Sequence, residues 1–460
     1  MSKITAVILA AGAGTRMKSK IPKVLHQVCG KPMVEHVIDV AEEGISAEQT
    51  ILVIGHEAEL VKKATEHRSV SFALQTDQLG TGHAVMQTEH LLPEEGLVLL
   101  LYGDTPLIRG SVIQDLIAFH KEGGYQATVL TAILEDPTGY GRIVRGIDGK
   151  VERIVEQKDA AAAEKAIREI NSGIYCYESK LLKEALKQLT NDNAQKEYYI
   201  TDVVEILNRQ GYRVGAFTIK DSTDIMGVNS RVQLAEAEEM MRMRILTQLM
   251  ESGVTIIDPQ NTYIDKTVQI QRDTIIYPGA IIKGNTRIGE DCIVGHNCYI
   301  ENCVLKDRVE VQSSTLKDSF VEDDCHIGPY AYLRPNSRLG KHVKIGDFVE
   351  VKNSTLGDYS KASHLAYIGD GEVGKNVNIG CGVVFVNYDG KNKHRTIVED
   401  NAFVGSNVNL VAPVTVEKNG YIATGSTITK TVPAGALSVA RAKQENKQGW
   451  VERKGLLKKD

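Results

Sequence analysis

Apolar residues in the first half of the chain fall into short continuous runs, separated by longer stretches of mixed character. The runs predict strands because they are rich in aliphatic and β-branched residues and end near glycine, aspartate or other polar residues. These strands are Ile4–Leu9, Thr50–Ile54, Val70–Leu74, Leu97–Tyr102 and Ala127–Thr131, with helices expected between them, as at Pro32–Ala41 and Ser111–Lys121. This alternation indicates an α/β domain with a Rossmann-like mixed sheet, mainly parallel, that binds ligands at the carboxyl ends of its strands.

The second half follows a different pattern, in which an aliphatic residue recurs at every sixth position. Glycine often follows that residue and a small residue often precedes it by two positions. A six-residue period fits neither an amphipathic helix nor a hairpin sheet, and it is typical of a left-handed parallel β-helix built from hexapeptide repeats. The repeated positions are Ile264, Ile270, Ile276, Ile282, Ile288, Val294 and Ile300; Val321, Ile327, Leu333, Leu339, Ile345 and Val351; and Val398, Val404, Leu410, Val416, Ile422 and Ile428.

Between the two halves, the segment Ser230–Gly253 has its apolar residues near one helical face. We expect a connecting helix here, capped by Asn229 or Ser230. The predicted division is therefore a first domain over 1–229, a helical linker over 230–250, and a β-helix domain with a C-terminal tail over 251–460.

Composition narrows the class of protein. With 460 residues the chain is too long for one ordinary core, and a net charge of −5 gives no electrostatic support for nucleic-acid binding. The longest early apolar run, Ala6–Ala11, is too short for a signal peptide or a membrane span, so we expect a cytoplasmic protein without membrane insertion. The 7 cysteines show no metal-binding spacing and are expected to be free thiols. Aromatic residues make up only 5%, which suits a narrow β-helix.

Candidate chemistry begins directly after the first predicted strand, in the stretch from Leu9 to Met17 (LAAGAGTRM), which is followed by Lys23. Glycines at positions 12 and 14 would let backbone N–H groups approach a phosphate or a base edge. The run matches neither the dinucleotide fingerprint nor the P-loop. By itself it fits an ordinary strand–helix turn at least as well.

The complete stretch, together with Pro22-Lys23, resembles the signature of sugar-1-phosphate nucleotidyltransferases. That resemblance implies that this loop holds a nucleotide and that Arg16 and Lys23 neutralise its phosphates as catalytic groups. It also implies that Gln75, Gly80 and Thr81 contact the uracil ring. The nucleotide-binding residues of the loop itself would be Leu9, Ala10, Ala11 and Gly12.

An aspartate just past a buried strand, as in Tyr102-Gly103-Asp104, suits Mg²⁺ as a hard anionic ligand, although a turn or helix-cap aspartate is common there. The resemblance assigns Asp104 and Asn229 to Mg²⁺ and places Tyr102 and Gly103 in the nucleotide site. Gly141, Glu156 and Asn171 correspond to sugar-binding positions. The implied reaction is in-line attack of a sugar-1-phosphate on the α-phosphorus of UTP, with release of pyrophosphate.

In the second half, polar residues cluster where the six-residue register breaks, which is where functional side chains tend to lie. One break is a slip between Val351 and Leu356, and another is Val386–Thr396, which we expect to form a protruding loop. His364 lies between them, in the segment Lys361–Gly369 (KASHLAYIG). A lone histidine is more often structural than catalytic.

That segment, combined with the first half, resembles the family of bifunctional bacterial N-acetylglucosamine-1-phosphate uridyltransferases/glucosamine-1-phosphate acetyltransferases, from Leu9 to Arg441. The resemblance implies that acetyl-CoA acetylates glucosamine-1-phosphate, with His364 as the base, and that UTP then converts the product to UDP-N-acetylglucosamine. Arg334 and Lys352 would bind the sugar phosphate, and Tyr367 and Asn378 the sugar. Acetyl-CoA would be bound by Cys381, Asn387, Tyr388, Ser406, Thr424 and Arg441.

Two of these residues, Cys381 and Thr424, stand where alanine is usual in the family, so the contacts there depart from its pattern. The resemblance also implies a homotrimer formed through the β-helix. Two alternatives remain: a nucleotidyltransferase whose β-helix only oligomerises or binds a regulator, and a non-catalytic scaffold like some translation-factor exchange subunits. The set around His364 argues against the first, and the metal-ligand pair against the second.

Overall fold

A computed structural model describes residues 3–456 of the chain. The chain forms two compact units, Met1–Arg242 and Met243–Asp460. The division falls inside the helix that the sequence predicts as the connector, which spans Arg231–Glu251. Ser230 caps this helix, since its Oγ accepts a hydrogen bond from the Gln233 N–H at 3.2 Å.

The first unit is an α/β domain. Its strands are β1 (Ile4–Leu9), β2 (Gln27–Val28), β3 (Lys31–Pro32), β4 (Gln49–Ile54), β5 (Val70–Leu74), β6 (Leu97–Tyr102), β7 (Ala127–Ile133), β8 (Arg142–Arg145), β9 (Val151–Val155), β10 (Glu169–Glu178) and β11 (Val214–Ile219). Its helices are α1 (Met33–Asp39), α2 (Ala58–Thr65), α3 (Thr81–Met86), α4 (Gly110–Glu122), α5 (Ala162–Lys165), α6 (Ser179–Leu186) and α7 (Asp202–Arg209). The helix α8 (Arg231–Glu251) begins in this unit and ends in the second. Single helical turns lie at Thr15–Met17, Lys23–Leu25, Val40–Gly44 and Ser222–Ile225.

The main sheet of this unit is mixed, in the order β11-β7-β10-β6-β1-β4-β5, with β8 and β9 attached at β10. The strands β6, β1, β4 and β5 are parallel to one another, and β10 runs antiparallel between β6 and β7. The five strands predicted from the sequence are confirmed within two residues at their ends. The first predicted helix begins one residue late, because Pro32 pairs with Gln27 in a small hairpin.

The second unit is a parallel β-helix of three sheets. The first sheet holds β12 (Thr255–Ile256), β15 (Ile275–Ile276), β18 (Ile293–Val294), β21 (Glu310–Val311), β24 (His326–Ile327), β27 (Lys344–Asp347), β30 (Lys361–His364), β33 (Asn378–Ile379), β36 (Phe403–Val404), β39 (Tyr421–Ile422) and β41 (Leu437–Ser438). The second holds β13 (Tyr263–Ile264), β16 (Ile281–Lys283), β19 (Tyr299–Glu301), β22 (Thr315–Lys317), β25 (Tyr332–Leu333), β28 (Glu350–Lys352), β31 (Tyr367–Gly369), β34 (Val384–Val386), β37 (Asn409–Val411) and β40 (Thr427–Ile428).

The third sheet holds β14 (Gln269–Ile270), β17 (Arg287–Ile288), β20 (Val304–Leu305), β23 (Phe320–Val321), β26 (Arg338–Leu339), β29 (Thr355–Leu356), β32 (Gly371–Val373), β35 (Thr396–Val398) and β38 (Val414–Val416). A 3₁₀ turn lies at Pro259–Asn261, and α9 (Trp450–Arg453) lies in the C-terminal tail. The hexapeptide architecture predicted from the sequence is confirmed, because every aliphatic residue of the six-residue repeat is buried in one continuous core.

The corners between sheets require special backbone conformations. Many corner residues have positive φ, and several of them are asparagine or glycine, which tolerate it best. The predicted loop after Val386 is also present, between β34 and β35, and an isolated bridge joins Tyr388 to Lys393 within it.

Candidate functional site

The first candidate site lies at the carboxyl ends of β1 and β6, which pair Leu9 with Tyr102. The loop after β6 is tied to β1, since the Gly103 N–H donates to the Leu9 carbonyl at 2.9 Å. The Val228 N–H donates to the Asp104 carbonyl, also at 2.9 Å, and this bond brings Asn229 beside Asp104 across more than a hundred residues of sequence. The sheet therefore gathers the predicted site from distant parts of the chain.

These loops surround a cavity of about 670 Å³. Of the residues predicted for the nucleotide and sugar site, all but Gly103 line it: Leu9, Ala10, Ala11, Gly12, Arg16, Lys23, Gln75, Gly80, Thr81, Tyr102, Asp104, Gly141, Glu156, Asn171 and Asn229. Gly103 instead packs against backbone, where an added Cβ would lie 3.2 Å from the Leu9 carbonyl oxygen.

The two glycines of the first loop serve different purposes. Gly14 has φ +59°, and an added Cβ would lie 2.6 Å from Cβ of Lys23. Gly12 has ordinary φ, and a Cβ there would meet nothing within 4 Å. Glycine at position 14 thus lets Lys23 pack against the loop, whereas glycine at position 12 keeps the cavity wall open for a ligand.

Lys23 occupies the centre of this site. Its ammonium donates to the Asp104 carboxylate and to Oδ1 of Asn229, the latter at 2.8 Å, and the Lys23 and Asp104 side chains are only 14% and 13% exposed. The two oxygens that the sequence assigns to a metal therefore converge on one cationic group. Within residues 3–456 no cluster of three His, Cys, Asp or Glu side chains could hold a metal. Asp104 and Asn229 thus suit a hard cation whose other ligands are phosphate oxygens and water.

A second group of residues that line the cavity is suited to a sugar. Glu156 and Asn171 both lie close to Gly141, where an added Cβ would be 3.5 Å from Oε1 of Glu156 and from Cβ of Asn171. Burial raises the pKa of Glu156 above its usual range, and the charges of nearby acidic residues, including Asp202, add to this effect. The carboxyl oxygens of Glu156 can accept hydrogen bonds from sugar hydroxyls, and the Asn171 amide can both donate and accept them.

Two residues close to the predicted sugar-binding residues have positions that the sequence does not indicate. Arg142, which follows Gly141, does not line the cavity: it is buried, and it donates to the Tyr140 carbonyl and to Oε1 of Gln157. Thr201, at the start of α7, does line the cavity and was missed, because nothing in its sequence context marks it.

The second candidate site lies on the β-helix, where three predicted acetyl-CoA residues form a column. The inward residues Ile379, Val404 and Ile422 pair in register on the first sheet. Cys381, Ser406 and Thr424 each lie two residues later and are therefore stacked on successive coils. The next predicted residue, Arg441, passes beside the corner that follows Thr424, because its Cδ is 3.9 Å from the position of a Cβ on Gly425.

A cluster of cations lies on the second sheet. Arg334 is the residue after β25, at the position that pairs with Lys352, and it donates to Oε1 of Glu350 at 2.7 Å. The ammonium of Lys393, from the protruding loop, lowers the pKa of Lys352, and burial and Arg334 act in the same direction. Lys393 was missed in the sequence, where it is one of several basic residues in a loop. Three cations together form a good site for a phosphate.

The remaining predicted residues are spread around this cluster. The Asn387 side chain is buried and donates to Oδ2 of Asp370 at 2.5 Å, with the Tyr367 hydroxyl 3.5 Å away, so it is directed into the protein. Tyr388 is exposed on the loop. Asn378 lies on the first sheet, in β33, and not on the second sheet with Arg334, Lys352 and Tyr367.

His364 ends β30 on the first sheet and is mostly exposed. Its Nδ1 is 2.6 Å from Oδ1 of Asp347, a contact that the sequence did not reveal because the two residues are seventeen positions apart.

Among the described residues, no helix has both the length and the apolar character needed to cross a membrane.

Comparisons with known proteins agree with both halves. Residues 5–239 match the nucleotidyl transferase family. Residues 261–313 and 318–353 match the bacterial transferase hexapeptide family, and residues 395–430 match the hexapeptide repeat of succinyl-transferase. Fold and site together define a nucleotidyltransferase joined to a left-handed hexapeptide-repeat acyltransferase.

Full-length relatives have the same organisation. The bifunctional protein GlmU of Alkaliphilus metalliredigens is 60% identical over 99% of this chain and 100% of its own length. Two further relatives carry the same name. The protein of Alkaliphilus oremlandii is 61% identical over 99% of this chain and 100% of its own length. The protein of Clostridioides difficile is 57% identical over 98% of this chain and 97% of its own length. The chain belongs to this family of bifunctional proteins.

The family resemblance predicted from the sequence is thereby confirmed. The chain is a bifunctional enzyme of UDP-N-acetylglucosamine synthesis, with a uridyltransferase and an acetyltransferase activity. Membership of the nucleotidyl transferase family also carries a requirement for a divalent metal, and UTP and acetyl-CoA are the co-substrates.

Proposed function

We propose that the cavity of the first unit transfers a uridylyl group from UTP to N-acetylglucosamine-1-phosphate, and that Asp104 and Asn229 hold Mg²⁺ there. The observation that carries this proposal is the pair of oxygens on Asp104 and Asn229, which already surround a cation, the Lys23 ammonium, at the phosphate end of the cavity. Glu156 and Asn171 line the same cavity, where the sugar would bind.

The uridylyl transfer then needs no covalent intermediate. The phosphate oxygen of the sugar phosphate attacks the α-phosphorus of UTP, and the bond to pyrophosphate breaks on the opposite side. Lys23 and Arg16 place positive charge beside the reacting phosphates, and Gln75, Gly80 and Thr81 orient the uracil ring. Mg²⁺, when bound, would supply further charge neutralisation and would free the Lys23 ammonium to contact phosphate.

Metal titration tests this assignment. We expect pyrophosphate release from UTP to stop when the metal is chelated and to recover with Mg²⁺. Asp104→Asn should raise the Mg²⁺ concentration for half-maximal rate by about tenfold or more, because it removes the one charged protein ligand. Acetyl transfer by the same protein should not change. An unaltered Mg²⁺ dependence in Asp104→Asn would contradict the metal site.

For the second unit, we propose that His364 is the base that makes the 2-amine of glucosamine-1-phosphate nucleophilic. A histidine is suited to this step because it can accept a proton near neutral pH. Arg334 and Lys352, with Lys393, bind the sugar phosphate, while Tyr367 and Asn378 hold the sugar ring. The column of Cys381, Ser406 and Thr424 leads from His364 toward Arg441, and acetyl-CoA lies along it. Asn387 contributes through its backbone, and Tyr388 through its exposed ring.

We propose further that the acetyltransferase works as a homotrimer. A single β-helix divides the proposed residues between its faces: Asn378 lies on the first sheet, while Arg334 and Lys352 belong to the second. Three large apolar residues, Tyr330, Phe348 and Leu365, occupy successive corners with positive φ and are 61%, 58% and 56% exposed. Bulky side chains held outward in this strained conformation suggest a contact with another copy of the chain.

Sedimentation tests the oligomer. Phe348→Glu places a charge between the exposed apolar residues Tyr330 and Leu365 and should convert the trimer to smaller species. We expect this variant to lose acetyl transfer and to retain uridylyl transfer. A trimer that survives this substitution would contradict the contact.

The two reactions follow one another, since acetylation makes the sugar phosphate that receives the uridylyl group. We also propose that the chain divides functionally into a uridyltransferase domain over 1–229, a helical linker over 230–250 and an acetyltransferase domain over 251–460. We propose a cytoplasmic location for the protein. We expect the intermediate to diffuse between the two sites.

A further inference from the structure

His364 and Asp347 lie at a local irregularity of the first β-helix sheet. The strands β27 and β30 have four residues each, whereas the other strands of that sheet have two. The extra residues extend the pairing to the corner, where Asp347 pairs with His364. The Leu365 N–H also donates to the Asp347 carbonyl at 2.9 Å, which fixes the backbone of the two coils at this point.

The side chains meet at the same place. Nδ1 of His364 is 2.6 Å from Oδ1 of Asp347. The hydrogen bond from His364 holds the pKa of the Asp347 carboxyl below its usual range, so this carboxyl remains ionised. A carboxylate can only accept, so Nδ1 carries the proton. Nε2 of His364 has no hydrogen-bond partner within residues 3–456 and keeps its lone pair for a substrate.

We infer that Asp347 is a positioning residue for acetyl transfer: it fixes the tautomer and orientation of His364 and stabilises the imidazolium that forms when the amine loses its proton. This inference rests on the proposed role of His364 as the base. It adds a second side chain to the catalytic step, one that touches neither the sugar nor acetyl-CoA.

The proton balance of the step is simple. The neutral amine nitrogen bonds to the acetyl carbon, and the bond from that carbon to the CoA sulfur breaks. One proton passes from the nitrogen to Nε2 of His364 and then to the leaving CoA thiolate. Asp347 stays ionised throughout, so it contributes its charge and its hydrogen bond but does not take the proton.

Among the charged groups on the strands next to β30, Asp347 is the one that contacts His364. The preceding strand, β27, brings Lys344 as well as Asp347, but Lys344 pairs with Lys361 at the other end of β30. From the following coil, the residue at the equivalent position is Cys381, which is uncharged as a thiol. Asp347 is the one carboxylate of the described chain that lies within ion-pair distance of His364.

Substitution of Asp347 tests the inference. Asp347→Asn keeps an oxygen acceptor but loses the charge. We expect its kcat for acetyl transfer to fall about tenfold to a hundredfold, with both KM values within about twofold. The fall in kcat at an almost constant KM is the result that a purely structural role of Asp347 would not give. Asp347→Ala should be slower still, and uridylyl transfer and the melting temperature should stay the same in Asp347→Asn.

A matched control is available on the same sheet. Glu310 and His326 form a similar pair, with Oε2 to Nδ1 at 3.0 Å, two coils earlier on the same sheet. Glu310→Gln should leave acetyl transfer unchanged. If Asp347→Asn has a normal kcat, or loses activity only together with a raised KM or a lower melting temperature, the inference is wrong. His364→Ala tests the proposed base separately from Asp347. If this variant retains acetyl transfer, His364 is not the base.

Discussion

Gly14 has no side chain, and Lys23 occupies the space beside it in the first site. The backbone at Gly14 is left-handed, and its open side is filled by the Lys23 side chain. Lys23 in turn reaches Asp104 and Asn229 with its ammonium. One glycine therefore fixes the position of the cation that lies between the two proposed metal ligands.

Gly14→Ala should disturb uridylyl transfer strongly. The added methyl group would be 2.6 Å from Cβ of Lys23, and alanine also disfavours φ +59°. We expect kcat/KM for uridylyl transfer to fall by about tenfold or more, since sub-ångström displacement of a catalytic cation is costly. Acetyl transfer serves as the internal reference.

Gly149→Ala is the matched control, because Gly149 has φ +77° and nothing within 4 Å of an added Cβ. It carries the same backbone strain without the contact, in the turn between β8 and β9. Equal losses of uridylyl transfer in both variants would show that strain alone, and not displacement of Lys23, is responsible.

At this scale, the sequence predicts residues that lie in short recognisable stretches and misses those defined by distant neighbours. The loop from Leu9 to Met17 could be assigned because its glycines, Arg16 and Lys23 are close together in sequence. Asp347 could not, because its importance comes from His364 on the next coil. Lys393 and Thr201 were missed for the same reason: a lysine in a loop and a threonine before a helix carry no signal until the fold brings them to a site.

Among the elements, the loop between β34 and β35 is anchored at its base. Asn387 donates to Oδ2 of Asp370, and Asn353 donates to Oδ1 of the same carboxylate at 2.6 Å. These bonds help to keep the pKa of the Asp370 carboxyl low against the effect of its burial. Because Lys393 lies on the loop, the anchor holds it beside Lys352.

Removal of the anchor should weaken substrate binding more than catalysis. In Asn387→Ala we expect the KM for glucosamine-1-phosphate to rise about tenfold, with kcat within about threefold, since a charge-assisted hydrogen bond of roughly 1.5–3 kcal/mol is lost and the loop loosens. Steady-state kinetics of acetyl transfer measure both constants.

Asn353→Gly provides the comparison, because it removes the other amide from Asp370 and leaves the loop bond in place. Glycine also tolerates the positive φ of position 353. A KM increase as large in Asn353→Gly as in Asn387→Ala would mean that the loop anchor has no special role.

The inward positions of the β-helix could be predicted over three runs of the sequence, because each inward side chain must fill the same narrow interior. Positions such as Ile288 and Val404 are buried as the period requires. The conformation of the loop after Val386 could not be predicted, since its length is set by the break in register but its anchor at Asp370 belongs to another coil.

For the whole molecule, α8 is the element that belongs to both units. Its first turns are tied into the first unit, because the Asn229 N–H donates to Oε1 of Gln233 at 2.9 Å and the Cys29 N–H donates to Oε2 of Glu238 at 2.6 Å. Further along, Leu246 is part of the β-helix core. The sequence predicts the helix but not where along it one unit ends.

Truncation distinguishes these parts of the helix. A fragment of residues 1–242 should retain uridylyl transfer within about threefold, because the hydrogen bond from the Asn229 N–H to Gln233 survives. A fragment of residues 1–229 keeps Asn229 but loses Gln233 and Glu238, and its activity should fall by more than about tenfold. Both fragments are assayed for pyrophosphate release, with circular dichroism to confirm that each is folded. Equal activities would show that the helix does not support Asn229.

Measurement of both half-reactions on Lys23→Ala and His364→Ala tests whether one chain carries two chemically separate sites. Lys23→Ala should lose uridylyl transfer by about a hundredfold or more and keep acetyl transfer within about twofold. His364→Ala should show the reverse, with acetyl transfer reduced by about a hundredfold or more. If both activities fall together in either variant, the chain does not carry two chemically separate sites.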